Sequence, residues 1–294
     1  MIAAGLALLA ALLFAIASAV QQNTAAEVPD DVAGGLGLIR VLVRRPWWWI
    51  GTLSDVGGYV AQAAALAVGS LVLVQPLLVT TLLFALPLGA RWSGRALRPA
   101  DRAWAVLLAA SLAVFVAVGE PTAGADRAPL EAWLPTAAVL GAVLVACLVG
   151  AAVSKRQRRG TVRAFLLAVA TGVLYGITAA LTKGVVTELD GGILRLLATW
   201  ETYALAVVAV SGTLLQQSAF QAGDLAASLP AITVGEPVVG VAIGLTVLGE
   251  QLQADGVEWL VIALAVGLAV TATVALARAT AREAAPSGEG LHAG

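Results

Sequence analysis

Long hydrophobic runs, separated by short polar or basic segments, follow one another along almost the whole chain. Each is about 20 residues long, the length that a helix needs to cross the roughly 30 Å hydrocarbon layer of a bilayer. Because backbone groups in lipid must be hydrogen-bonded within the protein, such runs predict α-helices. The predicted spans are residues 2–20, 47–68, 70–90, 102–119, 133–153, 162–183, 194–221, 225–249 and 257–277.

Three shorter segments need a separate interpretation. Residues 32–45 (VAGGLGLIRVLVRR) are short for a span, so they predict a helix on the membrane surface; the alternative, a tenth inserted segment, would reverse the sidedness. Ala17-Ser18-Ala19 resembles a signal cleavage site, but no Lys or Arg precedes it, so we expect the first run to remain a span. The tail over residues 279–294 is predicted to be disordered.

Composition agrees with a membrane protein. The 294 residues are 60% hydrophobic and 12% charged, with a mean hydropathy of +0.92. Cys147 is the single cysteine and His292 the single histidine, so the sequence predicts no Cys/His metal site. It also contains no phosphate loop, nucleophile elbow or dinucleotide fingerprint. We therefore expect neither an enzyme nor a cofactor, and no nucleic-acid partner.

The basic residues predict the sidedness. Fourteen of the 17 Lys and Arg residues fall in segments that the nine spans place on one side, and such residues are retained in the cytoplasm. The prediction is an N-terminus outside, a cytoplasmic C-terminus and a multi-pass protein of a bacterial cytoplasmic membrane. Trp47-Trp48-Trp49 is placed at the cytoplasmic interface, as aromatic belts are. The three remaining basic residues are Arg127, Lys183 and Arg195.

Two stretches of the chain repeat one another. Residues 60–76 (VAQAAALAVGSLVLVQP) and 214–230 (LLQQSAFQAGDLAASLP) align without gaps. The shared positions pair Gln62 with Gln216, Ala65 with Ala219, Gly69 with Gly223, Leu71 with Leu225 and Pro76 with Pro230. We interpret residues 1–119 and 162–278 as two four-helix repeats joined by a linking helix and basic loop over residues 120–161. An odd linker inverts the second repeat, which is the architecture of alternating-access transporters.

Several motifs carry a family resemblance. GVLYGITAALTKG at 172–184, VLGEQL at 247–252 and the four-helix unit resemble the drug/metabolite transporter superfamily, whose EamA-like members have this architecture. GLALLAALLFAIASAVQQ at 5–22 and WWWIGTLSDVGGYVAQAAALAVGSLVLVQPLL at 47–78 resemble its NIPA-type branch, which implies magnesium transport. The resemblance covers most of residues 1–278.

One departure weakens the magnesium interpretation. NIPA-type proteins commonly carry Gly-Glu in the second helix, followed three residues later by Asn. Here those places hold Gly58, Tyr59 and Gln62, so the carboxylate is missing. Mg²⁺ is usually bound through one or two carboxylates and several waters.

Acidic residues at membrane depth are the first candidates for a transport pathway, because they are costly there and normally face a cavity or a partner. Glu236 lies near the middle of the eighth span, beside Pro237, with Asp55 and Glu201 at shallower positions. We hypothesise that Glu236, with Asp55 or Glu201, couples transport to protons. The alternative is that Glu236 is protonated or paired for packing alone.

Amide side chains are the second group of candidates. Gln62, Gln75, Gln216 and Gln217 provide hydrogen-bonding groups without charge, so they predict a neutral polar lining between the repeats. The alternative is interhelical hydrogen bonding alone.

The remaining candidates have less specific signals. Lys183 is predicted either to meet an anionic substrate or to extend to the interface, and Tyr59 and Tyr175 either to line the pathway or to pack in the core. Asp224 is predicted to cap the eighth span, and Glu250, at a helix end, to have an interfacial role. Helix-breaking residues that expose carbonyls are expected at Pro76, Pro230 and Pro237.

Together these observations predict an all-α membrane transporter for a small organic metabolite or lipophilic cation. A Mg²⁺ transporter is the first alternative, and a non-transporting scaffold or lipid-handling protein is the second. Membrane lipid is the expected partner, and the sequence leaves a homodimer open. It does not identify a metal ligand.

Overall fold

The computed structural model of the protein describes residues 1–26, 46–92, 97–223 and 225–284. Within these ranges the chain forms eleven α-helices and one short 3-10 helix. They are α1 (Ile2–Ala26), α2 (Pro46–Val68), α3 (Leu71–Leu78), α4 (Thr81–Trp92), α5 (Pro99–Gly119), α6 (Leu130–Arg156), α7 (Gly160–Thr187), the 3-10 helix (Leu189–Gly191), α8 (Ile193–Ala198), α9 (Trp200–Ala222), α10 (Leu225–Thr246) and α11 (Glu258–Ala284).

The all-α membrane architecture is confirmed, and in the described ranges eight helical segments are long and apolar enough to cross a bilayer. Helix α2 is not one of the eight. Its 23 residues would reach about 34 Å, which is sufficient, but Asp55, Gln62 and other polar residues make it less apolar. The predictions for residues 32–45, Asp224 and the end of the tail concern residues outside the described ranges.

Two predicted spans are interrupted. Residues 70–90 form α3 and α4, which meet at Val79-Thr80 just after Pro76; there the Thr80 hydroxyl donates to the carbonyl of Leu77 at 2.6 Å. Residues 194–221 form α8 and α9, separated by Thr199, which has an extended backbone. Proline removes a helical donor and threonine hydroxyls compete for helical carbonyls, so both breaks have a local cause.

Helix α7 is the most buried of the eight spans and packs against α6, α9 and α10. Helix α1 packs along α2, α5 packs along α11, and α3 lies against α10. The largest hydrophobic core combines both halves of the chain. Its members include Leu66 of α2, Leu71 and Val74 of α3, Ala179 of α7 and Ile243 of α10.

Small residues allow α7 and α10 to approach closely, because Gly172 and Gly176 are spaced by four and lie on the same face of α7. A Cβ on Gly172 would lie 2.9 Å from the Cα of Gly235, and one on Gly176 would lie 2.6 Å from the Cβ of Val239. No larger side chain fits at either position without a shift of the two helices. This contact fixes the position of the middle of α10 along the axis of α7.

Candidate functional site

The two repeated turns lie at opposite ends of α7. The carbonyl oxygen of Gly69 accepts a hydrogen bond from the Lys183 amine at 3.0 Å, whereas a Cβ on Gly223 would meet the backbone of Gly160 at 2.8 Å. Gly160 and Lys183 are separated by about 35 Å along the helix axis. We name these regions of the molecule the Gly160 end and the Lys183 end.

The repeated sequence has a repeated local structure. Helix α2 ends at Val68 and α9 at Ala222, each followed by the aligned glycine. The next helix begins in both cases at the aligned leucine, Leu71 in α3 and Leu225 in α10. The aligned alanines Ala65 and Ala219 are both fully buried.

Glu236 lies in the middle of α10, beside the close contact with α7. A Cβ on Gly176 of α7 would lie 2.9 Å from its carbonyl oxygen. The side chain is half-buried, and its carboxyl group has no hydrogen-bond partner among the described residues. Its carboxyl group acts electrostatically on the phenol groups of Tyr59 and Tyr175. Three helices, α2, α7 and α10, therefore contribute to one polar region.

The two tyrosines of this region have different environments. The hydroxyl of Tyr175 donates to the Oε1 of Gln216 at 2.9 Å, which links α7 to α9. The ring of Tyr59 packs edge-on against Phe14, with centroids 4.9 Å apart. The residue is nevertheless 62% exposed. Asp55, one turn earlier in α2, is half-buried and also acts electrostatically on Tyr59.

The glutamines do not form one continuous lining. Gln75 is 1% exposed, and neither its Oε1 nor its Nε2 has a hydrogen-bond partner among the described residues. It packs against Gly240 of α10, one helical turn from Glu236, where a Cβ would lie 2.7 Å from the Cγ of Gln75. Gln62 is buried in α2, whereas Gln217 is exposed on α9.

Lys183 and Glu250 form an ion pair whose side chains are both fully buried. The Nζ of Lys183 donates to Oε1 of Glu250 at 2.9 Å. The same carboxylate accepts from the backbone amides of Leu71 at 2.8 Å and Val72 at 2.9 Å, at the start of α3. Lys183 therefore does not extend to the interface, which was one of its two predicted roles. Glu250 is buried inside the protein, although its position at a helix end predicted an interfacial role.

A second ionic cluster covers the Lys183 end. Arg127, in the connection between α5 and α6, binds Glu188 and donates two hydrogen bonds to Glu201, at 2.7 and 3.0 Å. The hydrogen bond to Glu201 raises the pKa of the Arg127 guanidinium. The structure therefore does not bring Glu201 to Glu236. Arg127 was missed by sequence reasoning, although it is one of only three basic residues assigned to that side.

The connection between α5 and α6 also contacts the segment that follows α10. Ala125 donates to Leu248 at 2.7 Å, and Thr122 donates to Gln251 at 2.9 Å. Gly124 is required at this crossing, because a Cβ there would lie 2.1 Å from the carbonyl oxygen of Leu248. This crossing and the two ionic clusters together close the Lys183 end.

Two of the three predicted helix-breaking prolines line an apolar cavity. The cavity has a volume of about 210 Å³, lies between α3, α5, α10 and α11, and includes Pro76 and Pro237. The hydroxyls of its two threonines, Thr233 and Thr273, donate hydrogen bonds to carbonyls of their own helices. Neither hydroxyl is therefore free in the cavity wall. Glu236 is not part of the wall, because α10 separates the cavity from the polar region.

The described residues bring no three His, Cys, Asp or Glu side chains together as a metal site. They define a multi-pass helical membrane protein with a carboxyl group and a buried amide at membrane depth. The chain is 36% identical over 280 residues to a protein of Corynebacterium glutamicum described as uncharacterized, and the match covers 92% of this chain and 95% of the relative. The chain belongs to the same family as that protein. No family model and no solved structure matches it.

Proposed function

We propose that the protein is a secondary transporter of the drug/metabolite transporter type, which moves a small organic solute or lipophilic cation by alternating access. The observation that carries this proposal is the position of Glu236. Its carboxyl group lies in the middle of a membrane-spanning helix, without a hydrogen-bond partner among the described residues and near two tyrosines. Intramembrane acids of this kind normally serve a pathway or a proton relay.

The arrangement of the two halves supports the same mechanism. The equivalent turns at Gly69 and Gly223 lie at opposite ends of α7, as inverted repeats require. We include α2 as a ninth span in this interpretation, because its length is sufficient and it packs along α1. The arginine distribution then assigns the Gly160 end to the cytoplasm of a bacterial cell, with the N-terminus outside and the C-terminus inside.

The surroundings of Glu236 favour an organic cation over Mg²⁺. Aromatic faces attract organic cations, and the carboxyl group of Glu236 interacts electrostatically with two aromatic residues, Tyr59 and Tyr175. The unpartnered amide of Gln75 supplies a second polar group, because leaving such a buried amide without a partner costs about 1–3 kcal/mol. Mg²⁺ would instead favour several carboxylate and water oxygens in octahedral geometry.

A proton-coupled mechanism follows from the chemistry of one carboxyl group. Protonated Glu236 is neutral and has no charge with which to hold a cation, whereas ionised Glu236 attracts one. Alternate binding of a proton and a cation at this group would exchange one for the other across the membrane. In this scheme Asp55 lies on the route from the Gly160 end, and Glu201 is an outer residue held by Arg127.

The proposal is tested by flux in reconstituted vesicles. Vesicles containing the protein should accumulate tetraphenylphosphonium when a proton gradient is imposed, and Glu236→Gln should abolish the accumulation. Glu131→Gln is the matched control, because Glu131 is an exposed acid in the first turn of α6.

The same vesicles, loaded with a Mg²⁺-sensitive dye, separate the alternative. Mg²⁺ flux that is lost in Glu236→Gln would show that the transported substrate is Mg²⁺ and not an organic cation. If the folded protein moved neither ion, or if Glu236→Gln left cation flux intact, the transport proposal would fail, and a scaffold or lipid-handling role would take its place.

A further inference from the structure

The contacts of Glu250 join parts of the chain that are far apart in sequence. Glu250 lies after α10 in the second half, and the amides of Leu71 and Val72 lie 179 and 178 residues away in the first half. Lys183 belongs to α7 in the second half, but it also donates to the carbonyl oxygen of Gly69 in the first. This one cluster therefore holds the two halves together at the Lys183 end.

The cluster lies directly above the buried centre of the molecule. Ala179, one helical turn from Lys183, is 2% exposed, and Gln75, one turn from Leu71, is 1% exposed. Tyr59, further towards the Gly160 end, is 62% exposed. The described residues around Glu236 are thus covered from the Lys183 end.

A buried ion pair is suited to a contact that must break completely. When an apolar contact opens, its nonpolar surface becomes exposed to water, which is unfavourable. When a Lys–Glu pair separates, both charged groups become hydrated, and this hydration offsets the lost electrostatic attraction. Half-open arrangements are unfavourable, because one charge or the amides of α3 would stay buried without a partner. The chemistry of such a cluster therefore favours a fully paired or a fully hydrated arrangement over a half-open one, as two-state transitions require.

We propose that Lys183, Glu250 and the first turn of α3 form a gate, which closes the Lys183 end in this conformation and separates when the pathway opens there. The gate rests on the proposed function, since it assigns one step of alternating access to these residues. When the gate opens, Glu250 loses its hydrogen bonds from the amides of Leu71 and Val72. Lys183 loses its ion pair with Glu250 and its hydrogen bond to the carbonyl oxygen of Gly69.

Accessibility tests the gate without any substrate. Ala179→Cys, introduced together with Cys147→Ala so that it is the single cysteine, reports whether water reaches the position below the gate. A membrane-impermeant maleimide is applied to intact cells and, in parallel, to inside-out vesicles. In this background Glu250→Gln or Lys183→Met should raise the labelling rate about tenfold, the shift expected when a minor state becomes substantially populated. The increase should occur from one side only.

Matched variants separate gating from simple destabilisation. Gly244→Ala keeps both charges but places a Cβ 2.5 Å from Oε2 of Glu250, so it should also raise labelling, even if the charge variants fail to fold. Gly141→Ala, whose Cβ would meet nothing within 4 Å, should leave labelling unchanged, and so should Glu131→Gln. All variants are compared as monodisperse protein in size-exclusion chromatography.

The outcome is independent of the transported solute. Unchanged labelling in folded Glu250→Gln, Lys183→Met or Gly244→Ala would overturn the gate, and so would an equal increase from both sides of the membrane. Increased labelling from one side supports the gate even if tetraphenylphosphonium is not transported. In that case the proposed organic-cation substrate fails, and the Mg²⁺ measurement decides the transport proposal separately from the gate.

Discussion

Removing one member of the buried Lys183–Glu250 pair should cost more stability than the pair itself contributes. Both side chains are fully buried, so a single substitution leaves a charge without its partner in a nonpolar environment. The expected cost is about 3–5 kcal/mol for Lys183→Met or for Glu250→Gln. The remaining hydrogen bonds, from Leu71 and Val72 to Glu250 or from Lys183 to Gly69, do not replace the lost ion pair.

The double variant distinguishes this account from simple loss of contacts. With both charges removed, no buried ion remains, but the carboxamide that Glu250→Gln introduces has one acceptor oxygen and cannot accept from both backbone N–H groups at the start of α3 in the same way. One unsatisfied N–H should cost about 1–3 kcal/mol. The double variant should therefore cost about 1–3 kcal/mol, well below the summed cost of the two single variants, so the two substitutions should be strongly coupled.

Unfolding in mixed micelles, titrated with SDS and followed by the fluorescence of the eight tryptophans, gives the required free energies. The four proteins of the cycle are compared under identical detergent conditions. If the double variant loses the full sum of the two single costs, the pair is not electrostatically coupled, and the description of Glu250 as the partner of Lys183 is refuted.

Two further predictions concern packing and the outer ionic cluster. Gly172→Ala should destabilise the protein by about 1–3 kcal/mol, because the new methyl would press on the backbone of Gly235; Gly141→Ala, in open space, should unfold thermally like the parent. Glu201→Gln should lower the thermal unfolding temperature more than the same change at Glu188, because Glu201 is the more buried acid (5% against 17% exposed) and accepts two hydrogen bonds; equal shifts would contradict this ranking.

Local features of the fold could be predicted from the sequence because their causes are local. Hydrophobic length located the helices, and the aligned glycines located the turns at residues 69 and 223. The interruption at Thr199 was harder, because a threonine hydroxyl ends a helix only where its geometry allows it to compete for a carbonyl. Hydropathy alone gives the same result for a continuous and an interrupted helix.

The ionic contacts could not be predicted, because they depend on packing between distant segments. Lys183 and Glu250 are 67 residues apart. The helix end at Glu250 predicted an interfacial role, and Lys183 was predicted either to meet an anionic substrate or to extend to the interface. Only the approach of the α10–α11 connection to the start of α3 encloses them. Arg127 could have been proposed as a partner of Glu201 from the charge balance of that side, but the sequence does not show which acid it binds.

Helix α7 connects the packing of the protein to its polar contacts. At its middle, Gly172 lies so close to Gly235 of α10 that no side chain separates the two backbones, and such a contact transmits displacement rather than absorbing it. At its end, Lys183 contacts the first half directly through the carbonyl oxygen of Gly69, and its partner Glu250 contacts it through the amides of Leu71 and Val72; water can replace these contacts. In the proposed cycle, α7 and α10 should therefore move as one unit, carrying Glu236 with them, and separation from the first half should begin at Lys183.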